Sequence, residues 1–134
     1  MYWFSKILLD SREIFYKSAK CIAFVNIKPL VPGHVLVVPQ RRVARFNDLS
    51  EEEAIDLILS VQRVSRIIEK VYEATSLSLA IQDGPEAGQS VPHVHFHILP
   101  RRKNDWPRND QVYEDASYHI LDSSINAYYL FVVE

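Results

Sequence analysis

The chain has 134 residues, 48% of them hydrophobic and 24% charged, with a formal net charge of −2. A chain this long buries about two thirds of its unfolded surface without staples, and its single cysteine excludes an internal disulfide or a multi-cysteine zinc site. The charge gives no bulk attraction to nucleic acid or to an anionic membrane surface, and no apolar run reaches transmembrane length.

One domain over residues 1–134 is the expected organisation. The first ten residues lack the apolar stretch and cleavage site of a secretory signal. The cytoplasm is the expected compartment, and a nuclear pool is compatible with the sequence. Residues 1–9 mix aromatic and aliphatic side chains without a clear period and predict no definite element. Glu13–Ser18 and Cys21–Asn26 are rich in β-branched and aromatic residues and read as a hairpin, with Cys21 a small packed hydrophobe. Lys28-Pro29-Leu30-Val31-Pro32-Gly33 is turn chemistry, after which His34 opens a short apolar strand, Val35–Val38, closed by Pro39.

Ser50-Glu51-Glu52-Glu53 starts a helix. Ser50 can cap it, Glu53 can reach back, and the acidic first turn suits the helix dipole. Leu57, Val61, Val64, Ile68 and Val71 recur at spacings of three and four and give one apolar face to a helix of about 22 residues. Ser76–Gln82 alternates, with Leu77, Leu79 and Ile81 toward the core. Asp83–Gln89 is a loop, and Pro92–Pro100 reads as a strand. Residues 101–115 are polar, carry Trp106-Pro107 and read as a mobile loop. His119 reads as a surface residue, and Tyr128–Val133 as an apolar tail that docks on the body or on a second subunit. Strands, one long helix and two more strands make the class α+β: an antiparallel sheet of about five strands with one long helix and room for a short one.

The strand at 92–100 carries the chemistry. It holds His93, His95 and His97, three of the chain's five histidines. Alternation puts them on one face and Val94, Phe96 and Ile98 on the other. Three readings are open. A solvent-facing row has no reason to sit against apolar backing. A metal site needs three rings to converge on one ion, whereas alternate residues on a straight strand are about 6.5–7 Å apart. Covalent phosphoryl or nucleotidyl transfer suits a neutral imidazole nucleophile with a second imidazole beside the departing oxygen. The loop ahead adds main-chain N–H groups and a hydroxyl at Gly88-Gln89-Ser90, as an anion cradle needs. His34 is a candidate partner to the row. Arg101-Arg102-Lys103 and Arg108 are either a solvated loop or an offset to substrate charge.

His93-Val94-His95-Phe96-His97-Ile98 resembles the His-x-His-x-His-x signature of the histidine triad family. Phe24–Val37, Arg45-Phe46-Asn47-Asp48-Leu49, Gln82–Gln89 and Arg108–Glu114 extend the resemblance to the fragile histidine triad branch, the dinucleoside polyphosphate hydrolases, over roughly residues 4–115. The Gln-Asp-Gly-Pro-Glu-Ala-Gly-Gln loop is its most branch-specific piece. The resemblance implies hydrolysis of diadenosine triphosphate to AMP and ADP by a homodimer that pairs two sheets. It holds no tight cofactor, and Mg2+ or Mn2+ accompanies the polyphosphate. His95 would attack the α-phosphorus, with a main-chain carbonyl fixing its second ring nitrogen. His97 would contact the scissile phosphate and departing oxygen. His93 and His34 would form an inner hydrogen-bonded pair. Gln82, Gly88, Gln89, Ser90 and Val91 would line the phosphates, and Asn26 the ribose. Phe4, Ile7, Leu8, Val25 and Leu36 would take adenine. Tyr113 would close near the substrate.

Two departures stand out. Ile7 sits where this branch can carry a polar residue, and Ser90 replaces an expected threonine. Serine there, after Gln89, also resembles the nucleoside phosphoramidase branch, in which the hydroxyl donates to a leaving nitrogen. A nucleotide-sensing protein with slow catalysis is a third possibility. After Glu114 the tail is divergent.

Overall fold

The computed structural model describes residues 1–105. Trp106, Pro107, Arg108, Tyr113, His119 and the apolar tail lie outside them. A five-stranded sheet forms from β3 (Ile14–Lys17), β4 (Cys21–Val25), β5 (Val35–Pro39), β6 (Ser76–Ile81) and β7 (Phe96–Arg101), in the order β3-β4-β5-β7-β6. Every pairing in it is antiparallel. The helix α1 (Glu51–Val71) packs on one face. On the other sits a hairpin of β1 (Tyr2–Phe4) and β2 (Ile7–Leu9).

The two central strands explain both layers. Cys21, Ala23, Val35 and Val37 point toward α1, where Leu57, Val61, Val64 and Ile68 meet them with Val94 and Ile98. Ile22, Phe24, Leu36 and Val38 alternate with them and meet Phe4, Leu9 and Val91 under the hairpin. β4 and β5 are thus covered on both faces, which is why they read as unbroken apolar runs.

The helix runs for 21 residues. Ser50 Oγ accepts from Glu53 N–H, and the Glu53 carboxylate accepts from Ser50 N–H at 2.9 Å. The expected apolar face is buried except at its end, where Val71 is 57% exposed. Leu79 is likewise 47% exposed. It shares the helix-side face with its partner Ile98, but β6 is the sheet edge. Gly33 answers to two demands. Its φ is +85°, and a Cβ there would stand 2.6 Å from the Tyr72 ring and 2.9 Å from Pro100.

Three expectations are corrected. Residues 2–9 form a hairpin across Ser5-Lys6, without the glycine or asparagine that marks such turns in sequence. The strand expected to hold all three histidines begins only at Phe96. Pro92 offers no N–H, His93 N–H turns back to Val91 O at 2.8 Å, and Val94 N–H goes to Val43 O at 2.7 Å instead of joining the ladder. The start of the loop expected over 101–115 is pinned. Arg101 pairs with Asp105 at 2.7 Å and donates to Ser78 Oγ at 2.9 Å.

Candidate active site

The face under the hairpin carries His34, His93, His95 and His97, all essentially buried. Main-chain groups decide which nitrogen of each ring holds the proton. Leu30 N–H donates to His34 Nδ1 at 3.2 Å. His34 therefore carries its proton on Nε2, which faces His97 Nδ1 at 2.9 Å. His97 accepts there and carries its own proton on Nε2, a buried atom with no partner among the described residues. Ser5 N–H donates to His93 Nδ1 at 2.9 Å, so His93 Nε2–H donates to Pro39 O at 2.8 Å. His95 Nδ1–H donates to His93 O at 2.7 Å. That leaves a lone pair on His95 Nε2. The His95 and His97 rings lie 5.1 Å apart and nearly perpendicular, at 70°. A bare nitrogen and an unpartnered N–H thus stand side by side.

All three rings of the row are held neutral. Burial pushes His95 down to about 4, against its hydrogen bond to His93 O, and nearby His93 adds to the depression. His97 is held well below the usual imidazole range by burial and by His34 and His95. Burial also lowers His93. Neutral imidazole is the nucleophilic form.

The expected His93–His34 pair is not made. β5 and β7 run antiparallel with Val35 opposite Ile98 and Leu36 opposite His97. His34 therefore meets His97 at one end of β5, while His93 lies at the other end, against Pro39. The carbonyl expected at His95 is present as His93 O. No group of three or more His, Cys, Asp or Glu among the described residues is placed to hold a metal ion.

The preceding loop turns through a short 3-10 segment, Pro85–Ala87, and reverses at Gly88, whose φ is +89°. Asp83 fastens the loop at its start, accepting from Arg45 Nε at 3.1 Å and from Phe46 N–H at 2.9 Å. Gln89 was expected to line the phosphates, but its donors are spent inside the protein. Its Nε2 donates to Ala44 O and Val91 O, its main-chain N–H donates to Gly84 O, and its Oε1 accepts from Gly84 N–H. It braces the loop. Ser90 Oγ, by contrast, is buried without a partner among the described residues. The Val91 side chain packs into the hairpin-side core. Gln82 follows Ile81, which pairs with Phe96 between His95 and His97. Asn26 is buried; its side-chain nitrogen lies 3.4 Å from His34 Nε2 and its Oδ1 accepts from Lys28 N–H at 3.4 Å.

The expected base slot divides. Phe4 and Leu36 are core, 4% and 2% exposed. Ile7, Leu8 and Val25 line a cleft with Leu9, Glu13, Phe24 and Ile27. Sequence reasoning missed Glu13 and Ile27 here, and it missed Ser5, Leu30 and Pro39 at the histidines. The last three act through main-chain atoms and carry no side-chain signal.

Residues 10–104 match the HIT domain. The chain belongs to the HIT family. Among curated relatives, "Bifunctional bis(5'-adenosyl)-triphosphatase/adenylylsulfatase FHIT" of Arabidopsis thaliana is 51% identical over 84% of this chain and 63% of the relative. "Bis(5'-nucleosyl)-tetraphosphatase [asymmetrical]" of Schizosaccharomyces pombe is also 51% identical, over 84% of this chain and 62% of the relative. The chain therefore spans less than two thirds of the length of these two relatives. The crystal structure of Plasmodium falciparum diadenosine triphosphate hydrolase in complex with Cyclomarin A superposes with a TM-score of 0.76 at 41% identity, covering 89% of this chain and 81% of that one. The HIT match stops short of the N-terminal hairpin, which lies ahead of residue 10.

Proposed function

We propose that the chain hydrolyses a dinucleoside 5',5'-triphosphate, diadenosine triphosphate first, to a nucleoside monophosphate and a nucleoside diphosphate through a nucleotidyl adduct on His95. One observation carries the reading. His95 Nε2 is a neutral, bare nitrogen whose tautomer is fixed by His93 O, and it stands beside a buried His97 N–H that no group among the described residues satisfies. The relatives' activities on dinucleoside polyphosphates support it.

In the first step His95 Nε2 attacks the α-phosphorus. A P–N bond forms, the P–O bond to the diphosphate breaks, and Nδ1–H stays on His93 O. His97 Nε2–H donates a hydrogen bond to the departing oxygen, which leaves as the oxyanion of the nucleoside diphosphate. Water then attacks the same phosphorus. The P–N bond breaks, the monophosphate leaves, and His95 returns neutral with one proton released to solvent. Ser90 Oγ offers a donor to the phosphates, Gln82 adjoins them, and Asn26 takes the ribose; Gly88, whose N–H is spent on Pro85 O at 3.0 Å, shapes the loop. The cleft at Ile7, Leu8 and Val25 takes the base. The polyphosphate arrives as its Mg2+ or Mn2+ complex, with the cation on the phosphates.

The reading includes a homodimer. Among the described residues β6 is an edge strand with Leu79 exposed, the kind of edge that pairing with a second copy covers. Sedimentation equilibrium checks this, and cell fractionation checks the expected cytoplasmic site. The unpartnered Ser90 hydroxyl favours one further reading, a nucleoside phosphoramidase in which it donates to a leaving nitrogen. Product identification on a panel of diadenosine triphosphate, diadenosine tetraphosphate and adenosine phosphoramidate decides. Fastest turnover of the triphosphate to AMP and ADP is expected. Preference for the phosphoramidate overturns the first reading, and tight binding without turnover leaves a nucleotide sensor.

A further inference from the structure

The hairpin β1–β2 lies ahead of the residues that match the HIT domain, yet it is tied to the histidines by a main-chain group. Ser5, in its two-residue turn, has a φ of +52°. Its N–H, which at a turn tip would ordinarily face water, donates instead to the buried His93 Nδ1 at 2.9 Å. Beside it the Phe4 ring lies 5.5 Å from the His93 ring and 5.3 Å from the His95 ring, edge-on at 83°.

The consequence runs along the chain of hydrogen bonds. A ring nitrogen that accepts from an amide carries no proton, so the proton of neutral His93 sits on Nε2 and donates to Pro39 O. In the other tautomer Nε2 would turn a lone pair toward that carbonyl at 2.8 Å, and the ring would have to move. With both nitrogens of His93 engaged, its residue is fixed, and its carbonyl receives His95 Nδ1–H at 2.7 Å. We propose that the N-terminal hairpin is a positioning element for the nucleophile: the Ser5 main-chain N–H, acting through His93, holds His95 in the tautomer whose Nε2 attacks phosphorus. This rests on the reading of His95 as nucleophile. Because the donor is main chain, residue 5 can vary in side chain without changing the device.

The test replaces the Ser5 N–H by an ester oxygen, a change that also weakens the Phe4 carbonyl as an acceptor. Cys21, the chain's only cysteine, is a ligation point. A synthetic thioester of residues 1–20 joins to residues 21–134 to give the full chain. One product carries Ser5 as the ordinary amide. A second carries the α-hydroxy analogue of serine, an ester that keeps the side chain and lacks the N–H. A third places the ester at Lys6 as a control for the bond replacement. Every histidine lies in the expressed piece, so its ring nitrogens can be labelled with 15N.

The Ser5 ester is expected to lower kcat on diadenosine triphosphate about tenfold, with KM within about twofold. Its His93 and His95 nitrogen resonances move toward mixed tautomers, while the Lys6 ester matches the amide protein. A Ser5 ester protein with the amide protein's kcat and nitrogen resonances overturns the proposal. So does a Ser5 ester protein that fails to fold where the Lys6 ester protein folds, since the N–H is then structural. If even the amide protein lacks triphosphatase activity, the functional reading fails, and the nitrogen spectra still decide the hairpin's role.

Discussion

The two faces of the sheet come from the same alternating strands and do different work. The helix side is filled by Ala23, Val35, Val37, Leu57, Val61, Val64 and their neighbours, with Cys21 among them at the usual place of a small hydrophobe. Burial there pushes the Cys21 thiol up to about 12 and leaves it inert. The hairpin side buries four imidazoles instead. Burial of a polar ring is costly unless its nitrogens are paired. Here main-chain groups and a histidine–histidine contact pair all but two: His95 Nε2 has no hydrogen bond within the described residues, and His97 Nε2 is buried without a partner. One face stabilises, and the other holds unspent hydrogen-bonding capacity aimed at one place.

Substitutions on the two faces should therefore separate turnover from stability. The largest effect is expected at His95→Asn, which removes the nucleophile but keeps a side chain that can donate to His93 O. Turnover of diadenosine triphosphate falls by about three orders of magnitude or more, while equilibrium binding of the substrate stays within a few-fold. Stopped-flow turnover and calorimetric titration measure the two. Near-normal turnover removes the covalent mechanism. On the opposite face, Leu57→Ala opens a cavity under the sheet and should cost about 2–5 kcal/mol in denaturant unfolding. Its kcat per folded molecule, measured well below the transition, should match the parent.

The same division governs what the sequence disclosed. The helix, its Ser50–Glu53 capping box and its buried stripe were legible because side chains at helical spacing specify them. The sheet was legible from the apolar runs of β4 and β5, and the chemistry from the histidine alternation and the turn before His34. The hairpin at residues 2–9, the late start of β7 and the His34–His97 partnership were not. Each depends on main-chain hydrogen bonds or on register between distant segments, which leave little mark in residue type; Pro92 ahead of β7 is the exception. Leu79 and Val71 read as core because periodicity reports a face of an element and not whether another element covers it.

Acid should reach the two faces in different windows. His95 falls from 6.5 to about 4 on folding, so between these values the unfolded chain binds more protons than the native one. The stability this represents is complete above about pH 6.5 and is lost as pH falls toward 4. For His95 alone it amounts to about 3 kcal/mol. His93 and His97 shift in the same direction. Glu53 on the helix is held down to about 2, from 4.5, chiefly by the Arg41 guanidinium and also by Ser50, so its contribution is lost only below 4.5. Thermal melting of the parent should therefore fall between pH 6.5 and 4.5, and His95→Asn should flatten that part of the curve. Equal slopes for the two proteins would mean that His95 is protonated in the fold.

The smallest effect expected is at the helix start. Ser50→Ala removes the hydroxyl that accepts from Glu53 N–H at 3.1 Å and should cost about 1 kcal/mol. Glu53 keeps its ion pair with Arg41 at 2.7 Å, so the helix should loosen at its first turn without leaving the sheet. The imidazoles lie on the opposite side of β5 and β7; main-chain groups of the hairpin, the strands and the turn at Leu30 fix His93, His95 and His34, and His34 fixes His97. Two routes lead from the helix start to those groups: the packed layer of Val35, Val37 and Ile98, and the Glu53–Arg41 pair two residues beyond Pro39, whose carbonyl holds His93, and this variant keeps both. Hydrogen exchange should rise over residues 51–54 while kcat and the His95 nitrogen resonances stay unchanged. A fall in kcat at temperatures where the protein is folded would show that the two faces are mechanically coupled, and would place the control of His95 in the whole sheet and not in the hairpin that touches it.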